Sequence, residues 1–124
     1  MAQKRVLVVD DTTSIRQAIT ALLKVSGYEA AEASTGDLAL QLMQNSKFDL
    51  LLTDWNMPGM SGAELVKTIR ATDRVIPIVM VTAEADRQKI MELQAIGVNG
   101  YLLKPFKQQA LLTVLAKIFA DKPR

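Results

Sequence analysis

Apolar residues fall along this chain in two alternating patterns: short unbroken runs, and longer stretches with one apolar residue every three or four positions. Arg5-Val6-Leu7-Val8-Val9 is the first unbroken run, as expected of a strand covered on both faces. It stops at Asp10-Asp11. Thr12, Thr13 and Ser14 then offer N-cap hydroxyls. Ile15, Ala18, Ile19, Leu22 and Leu23 mark the inward face of a first helix, with Arg16, Gln17, Thr20 and Lys24 opposite, and Ser26-Gly27 closes it. Tyr28 to Ala33 predicts a weaker strand whose two glutamates suit a sheet edge. A second helix opens at Ser34-Thr35-Gly36-Asp37, runs through Leu38, Ala39, Leu42 and Met43, and ends near Asn45-Ser46-Lys47.

Leu50-Leu51-Leu52-Thr53 is the third strand, and it runs into Asp54. After Trp55, Asn56 and Met57 comes a Pro58-Gly59 turn, and Ser61-Gly62-Ala63-Glu64 has the spacing of a capping box for a third helix carrying Leu65, Val66 and Ile69. Ile76 to Val81 is the fourth strand, with Pro77 near its start, where a missing N–H does least harm; it ends in Thr82-Ala83-Glu84. A fourth helix turns Ile90, Leu93 and Ile96 inward and ends at Gly97. Tyr101-Leu102-Leu103 is a short fifth strand broken by Lys104-Pro105, and a final helix carries Leu111, Leu115, Ile118 and Phe119. Five strand–helix alternations predict an α/β fold, a parallel sheet with helices on both faces and right-handed crossovers.

Composition narrows the chemistry. At 124 residues, with 49% apolar and 23% charged, the chain is expected to be one domain with a core of its own. A net charge of +2, with Lys and Arg dispersed, gives no nucleic-acid footprint, and no stretch approaches a membrane span; the expected location is the cytoplasm. No Cys and no His are present, so thiol chemistry and the commonest general base are excluded, leaving carboxylates, Lys and hydroxyls.

In a parallel α/β sheet, ligands bind beyond the carboxyl ends of the strands. The residues just past strands one, three, four and five are Asp10-Asp11, Asp54, Thr82 and Lys104, so three carboxylates, a hydroxyl and an ammonium are expected at one edge. Taken singly, each has a plain structural role as a helix cap, loop acid or surface charge; their coincidence is the signal. Two carboxylates about 4 Å apart repel by roughly 4 kcal/mol at an effective dielectric near 20, which calls for a cation. Oxygen ligands alone suit Mg2+ or Mn2+. An acid cluster beside a metal suggests phosphoryl transfer, with the strand-end carboxylate as nucleophile and Lys104 and Thr82 offsetting charge.

Four motifs, Val8-Val9-Asp10-Asp11, Asp54-Trp55-Asn56-Met57-Pro58, Met80-Val81-Thr82-Ala83-Glu84-Ala85, and Gly100-Tyr101 followed by Lys104-Pro105-Phe106, stand in order over the whole chain. In them the chain resembles the receiver domain of two-component response regulators, and in particular its single-domain chemotaxis members. The resemblance implies a (βα)5 doubly wound, flavodoxin-like fold with strand order 2-1-3-4-5 and no output domain. It implies that Asp54 accepts a phosphoryl group from a histidine kinase. Asp11, Asp54 and the backbone carbonyl of Asn56 would ligate Mg2+, with Asp10 helping indirectly. Lys104 would pair with the phosphoryl group, its bond to Pro105 being cis. Thr82 and Tyr101 would be the switch pair, and Asn56 and Glu84 would flank the hydrolytic water and set the dephosphorylation rate. Such a protein acts as a signalling switch rather than an enzyme on other substrates.

Leu112 and Val114, where a helix is ordinarily polar, together with Leu93 and Leu103, are expected to extend an apolar surface of helix four, strand five and helix five. The family docks its targets there, so this is the expected face for a target such as the flagellar motor switch, or for a weak dimer; a phosphatase partner is also possible within the family. Trp55 is expected to pack in its loop and to report on the site, and the methionines to fill the core. Alternatives are a phosphate sink or relay intermediate, a receiver excised from a larger regulator, a haloacid-dehalogenase-type phosphatase, and a flavodoxin-like electron carrier. The phosphatase needs an acid two residues after its nucleophile, where Thr12 and Asn56 stand; the electron carrier needs a phosphate-cradling loop, where Asp10-Asp11 would repel.

Overall fold

The computed structural model describes residues 3–83 and 86–120. Its elements alternate as expected: β1 (Arg5–Val9), α1 (Thr13–Val25), β2 (Glu29–Ala33), α2 (Gly36–Asn45), β3 (Leu50–Asp54), α3 (Gly62–Arg70), β4 (Ile78–Thr82), α4 (Arg87–Ala95), β5 (Gly100–Leu103) and α5 (Gln108–Ala120). All strand pairs are parallel, in the order β2-β1-β3-β4-β5. The glutamate-bearing β2 is therefore at an edge, where Glu29 and Glu32 reach solvent.

Alternate residues of each inner strand serve opposite cores. Leu7, Val9, Leu51, Ile78 and Met80 pack with Ala39 of α2, Leu65, Val66 and Ile69 of α3, and Leu93 of α4. Val6, Val8, Leu50, Leu52, Val79 and Val81 pack on the other face with Ile19 and Leu23 of α1 and Leu111 and Leu115 of α5. Each fully buried Leu or Ile contributes roughly 1.5–3 kcal/mol by area removed from water, enough to hold the strand tips, and the polar groups on them, in place.

Local signals operate as the sequence predicts at the starts of α2 and α3. Thr35 caps α2 by accepting from the Leu38 N–H (3.1 Å), and Ser61 and Glu64 close a reciprocal capping box on α3 (3.2 and 3.0 Å). Gly27 and Gly97 take positive φ where α1 and α4 end.

Several expectations are corrected. Thr20 is buried rather than outward; its hydroxyl donates to the Gln17 carbonyl at 3.0 Å, which makes burial tolerable, while Ala18 is exposed. Thr12 holds the N-cap position of α1 but makes no side-chain cap. Arg16, assigned to the outer face, is folded inward onto Asp10. Pro77 lies ahead of β4 rather than in it. Leu93 does not extend an apolar surface: it is the single buried residue of α4. Val114 is half-buried against the core, and Met91 is exposed rather than core filler.

Arg70, at the end of α3, ties the base of this assembly. Its Nε and Nη2 donate to the Gly97 carbonyl (3.0 and 2.8 Å), Nη2 to Asn99 Oδ1 (3.0 Å) and Nη1 to the Asp73 carbonyl (3.1 Å). Asn99 Oδ1 also accepts the Ile78 N–H at 2.8 Å, so one guanidinium links α3, the loop before β5 and the start of β4. Arg70→Ala is expected to cost about 2–3 kcal/mol in urea unfolding, because hydrogen bonds from a charged donor are lost and their acceptors are left partly buried.

Candidate functional site

The strand order reverses between β1 and β3, and there the tips of both strands carry acids. Asp10 follows β1 and is 1% exposed; Asp54 ends β3 and is 7% exposed. Asp11 is exposed beside them. One carboxylate oxygen from each of Asp10, Asp11 and Asp54 lies within 4.8 Å of the others. Three hard oxygen donors at that spacing fit a small divalent cation such as Mg2+.

Lys104, just past β5, reaches across to the cluster. Its Nζ lies 3.2 Å from Asp54 Oδ2 and 3.4 Å from Asp10 Oδ2, and its side chain is 25% exposed. Its backbone N–H donates to the Thr82 carbonyl (2.8 Å), so the two polar tips of β4 and β5 are joined, and Thr82 is buried. The Lys104–Pro105 bond is cis. Asn56 is exposed, and its backbone N–H donates to the Asp54 carboxylate. The structure thus brings together Asp10, Asp11, Asp54, Asn56 and Lys104, with Thr82 on the adjoining strand tip. Tyr101 is set apart, exposed on β5. Glu84 lies outside the described residues.

Burial pushes the Asp54 carboxyl above its ordinary value. The hydrogen bond and charge of Lys104 pull it back, the Asp10 charge pushes it up again, and the Asn56 N–H lowers it. Asp10 is immobilised at every polar atom. Its N–H donates to the Ala33 carbonyl (3.2 Å), Oδ1 accepts the Thr12 N–H (2.8 Å), Oδ2 faces Lys104, and its carbonyl accepts Arg16 Nη1 (2.7 Å).

Two contacts near the site have no signature in the sequence: the Arg16 grip, and Lys89 of α4, whose Nζ sits 3.9 Å from the centroid of the Trp55 ring. Both join residues far apart in the chain or on a face that periodicity assigns to solvent. Gly62 is a third. Its N–H donates to the Trp55 carbonyl (2.8 Å), and a Cβ there would run into the Asp54 carbonyl oxygen and lie 2.9 Å from the Trp55 Cα. Backbone cannot yield as a side-chain end can. Gly62→Ala is therefore expected to lower stability by about 1–3 kcal/mol and to alter Trp55 fluorescence as the loop shifts.

A groove of about 740 Å3 lies elsewhere, between α4, β5 and α5, lined by Ile90, Val98, Tyr101, Val114 and Lys117 among others. It is mostly apolar, and no acid is among its described lining residues, in contrast to the cluster at the strand tips.

Fold and site together define a doubly wound α/β protein whose acid-and-lysine centre occupies the switch point of a 2-1-3-4-5 sheet. Residues 6–116 match the profile of the response regulator receiver domain. The chain is 46% identical to the chemotaxis protein CheY of Pseudomonas aeruginosa, covering 93% of this chain and 95% of that one, and 43% identical to CheY-3 of Vibrio cholerae, covering 93% and 91%. Its structure is similar to that of Vibrio cholerae CheY4 (TM-score 0.91, 40% identity, 94% of this chain and 99% of that one). It is also similar to that of a CheY-like receiver from Methanospirillum hungatei (TM-score 0.90, 29% identity, 97% and 96%). The chain belongs to the response regulator receiver domain family, and it is a CheY-like signalling protein rather than a conventional enzyme. Among the described residues no helix is long and apolar enough to cross a membrane.

Proposed function

We propose that the chain is a phosphorylation-driven switch in which Asp54 takes a phosphoryl group from a histidine kinase. One observation carries this reading: a nearly buried strand-end carboxylate held 3.2 Å from a lysine ammonium and beside two further acids at the open edge of the sheet. An Asp54 oxygen attacks phosphorus as the donor imidazole leaves. Lys104 meets the charge on the transferring group, and the Thr82 hydroxyl binds one of its oxygens. Asp11, Asp54 and the Asn56 carbonyl would hold Mg2+ or Mn2+, with Asp10 supporting them indirectly. When bound, that ion supplies charge neutralisation at the phosphoryl oxygens. Asn56, together with Glu84, would admit the water that hydrolyses the acyl phosphate and resets the protein.

Output is proposed at the α4–β5–α5 face, where the groove and exposed Tyr101, Leu103 and Met91 give a partly apolar surface. Movement of Thr82 toward the phosphoryl group, with Tyr101 turning inward, would change that face. The relatives' names place them in chemotaxis, and for such a regulator the proposed target is the flagellar motor switch. The test is to titrate Mg2+ and then acetyl phosphate while following Trp55 fluorescence, with mass-spectrometric mapping of the modified residue. The expected result is a metal response, a further donor-dependent response, and label on Asp54. Label on any other residue sinks the reading.

A further inference from the structure

We propose that Arg16 is a positioning residue for the metal site, fixing the Asp10–Asp11 turn through the peptide that joins the two acids; this rests on the metal reading above. The carbonyl that Arg16 Nη1 holds at 2.7 Å is the carbonyl of that joining peptide. Gripping it sets the peptide plane, and with it the direction in which the Asp11 carboxylate leaves the chain. Asp10 needs no such help, since its carboxylate is already held by the Thr12 N–H and Lys104. Asp11 is exposed and follows the plane.

The guanidinium is itself anchored. Nε donates to Glu32 Oε1 at 2.9 Å, Nη2 lies 3.5 Å from Thr13 Oγ1, and the side chain is only 13% exposed. Glu32 sits on edge strand β2 in register with Val8, and the next residue, Ala33, accepts the Asp10 N–H. The first turn of α1, the tip of β1 and the tip of β2 are thus joined at one planar cation. A planar fork can serve a carboxylate and a carbonyl at once in fixed directions, whereas an ammonium cannot reproduce both directions.

Charge and position predict opposite signs. Arg16 is a cation near a cation site, so on Coulomb grounds its removal would tighten metal binding, and Arg16→Lys would change nothing. A positioning role predicts that Arg16→Lys and Arg16→Ala both weaken Mg2+ binding, by about tenfold, as loss of outer-shell support does in other metal sites. It also predicts a change of selectivity, because Mg2+ demands near-ideal octahedral geometry and Ca2+ tolerates irregular oxygen shells.

The experiment is calorimetric titration of Mg2+ and of Ca2+ into the full chain and both variants, with metal-free urea unfolding alongside. Mg2+ affinity falling about tenfold while Ca2+ affinity falls clearly less supports the role. Unchanged or tighter Mg2+ binding overturns it, as does equal weakening for both ions. If Arg16→Ala does not fold, Arg16→Lys carries the same test. If the unaltered protein binds neither Mg2+ nor, in a further titration, Mn2+, the proposed metal site falls and this role falls with it. Normal binding by the unaltered protein and an indifferent Arg16→Lys overturn this role alone.

Discussion

Replacing Lys104 by Met is expected to destabilise the metal-free protein by about 3–5 kcal/mol near pH 7, the usual cost of leaving buried charge without its partner. It is also expected to slow phosphoryl uptake by about 10²–10³-fold, the loss seen when one donor to a developing anion is removed. The Lys104 ammonium lies within 3.4 Å of both Asp10 and Asp54, whose side chains are almost withdrawn from water. Without it the two acids face each other across a site of low dielectric. The two influences of Lys104 that lower the Asp54 pKa vanish, and the desolvation and Asp10 charge that raise it remain. A carboxyl whose folded pKa is raised contributes its full stability below the unfolded value and loses it as pH rises through the folded pKa. The deficit of Lys104→Met is therefore larger at neutral pH and shrinks as pH falls toward 3.8, the ordinary value for Asp. Urea unfolding of both proteins between pH 7 and pH 4 measures it. A deficit that does not change over that range would assign the loss to packing of the lysine stem instead. Adding Asp54→Asn to the variant should recover part of the loss, since it removes one of the two opposed charges.

The elements are legible because the inner strands β1, β3 and β4 are short apolar runs and two helices have punctuated starts: Thr35 and Ser61 cap α2 and α3 as their spacing demands. The site was legible for a topological reason. A parallel sheet sends every strand's carboxyl end to one edge, so Asp10, Asp54, Thr82 and Lys104 could be gathered without knowing strand order. The order itself came from the family resemblance, since nothing local in Val6–Val9 or Leu50–Leu52 says which strand lies beside which. What periodicity misplaced is equally instructive. Thr20 is buried because its hydroxyl is satisfied within its own helix, so a polar residue broke the pattern without cost. Leu93 is expected both on the inward face of its helix and on the apolar surface; it is inward, and α4, with one buried side chain, depends on that Leu for its seat. Periodicity assigns Arg16 to solvent, because a charged residue on a helix usually goes there. Its acceptors, a carbonyl six residues back and a glutamate sixteen residues on, carry no mark in the sequence.

Asp54→Asn is expected to abolish donor-dependent labelling and, at neutral pH without metal, to make the protein more stable than the original. Labelling stops because an amide oxygen is not a nucleophile toward phosphorus under conditions where a carboxylate is. The stability gain follows from the same burial that readies the acid. Desolvation raises the Asp54 pKa, so ionising it in the folded state costs more than in the unfolded state. The sign is fixed by linkage: the original protein loses stability as pH rises through the raised folded pKa, and the amide does not. The gain is therefore absent below pH 3.8, appears above it and is complete once the folded acid has ionised. An amide oxygen can still accept from Lys104 and the Asn56 N–H, so the contacts that hold the loop need not be given up. Mg2+ should reverse the order. A ligand that binds only the folded state at 100 times its dissociation constant adds about 2.7 kcal/mol, and the variant lacks one of the three carboxylates that would hold it. Thermal unfolding with and without Mg2+ at pH 7 and pH 4 measures all four combinations. If Asp54→Asn proves less stable at pH 7 in the absence of metal, the ion pair with Lys104 outweighs burial, and the acid is kept for the fold as much as for chemistry.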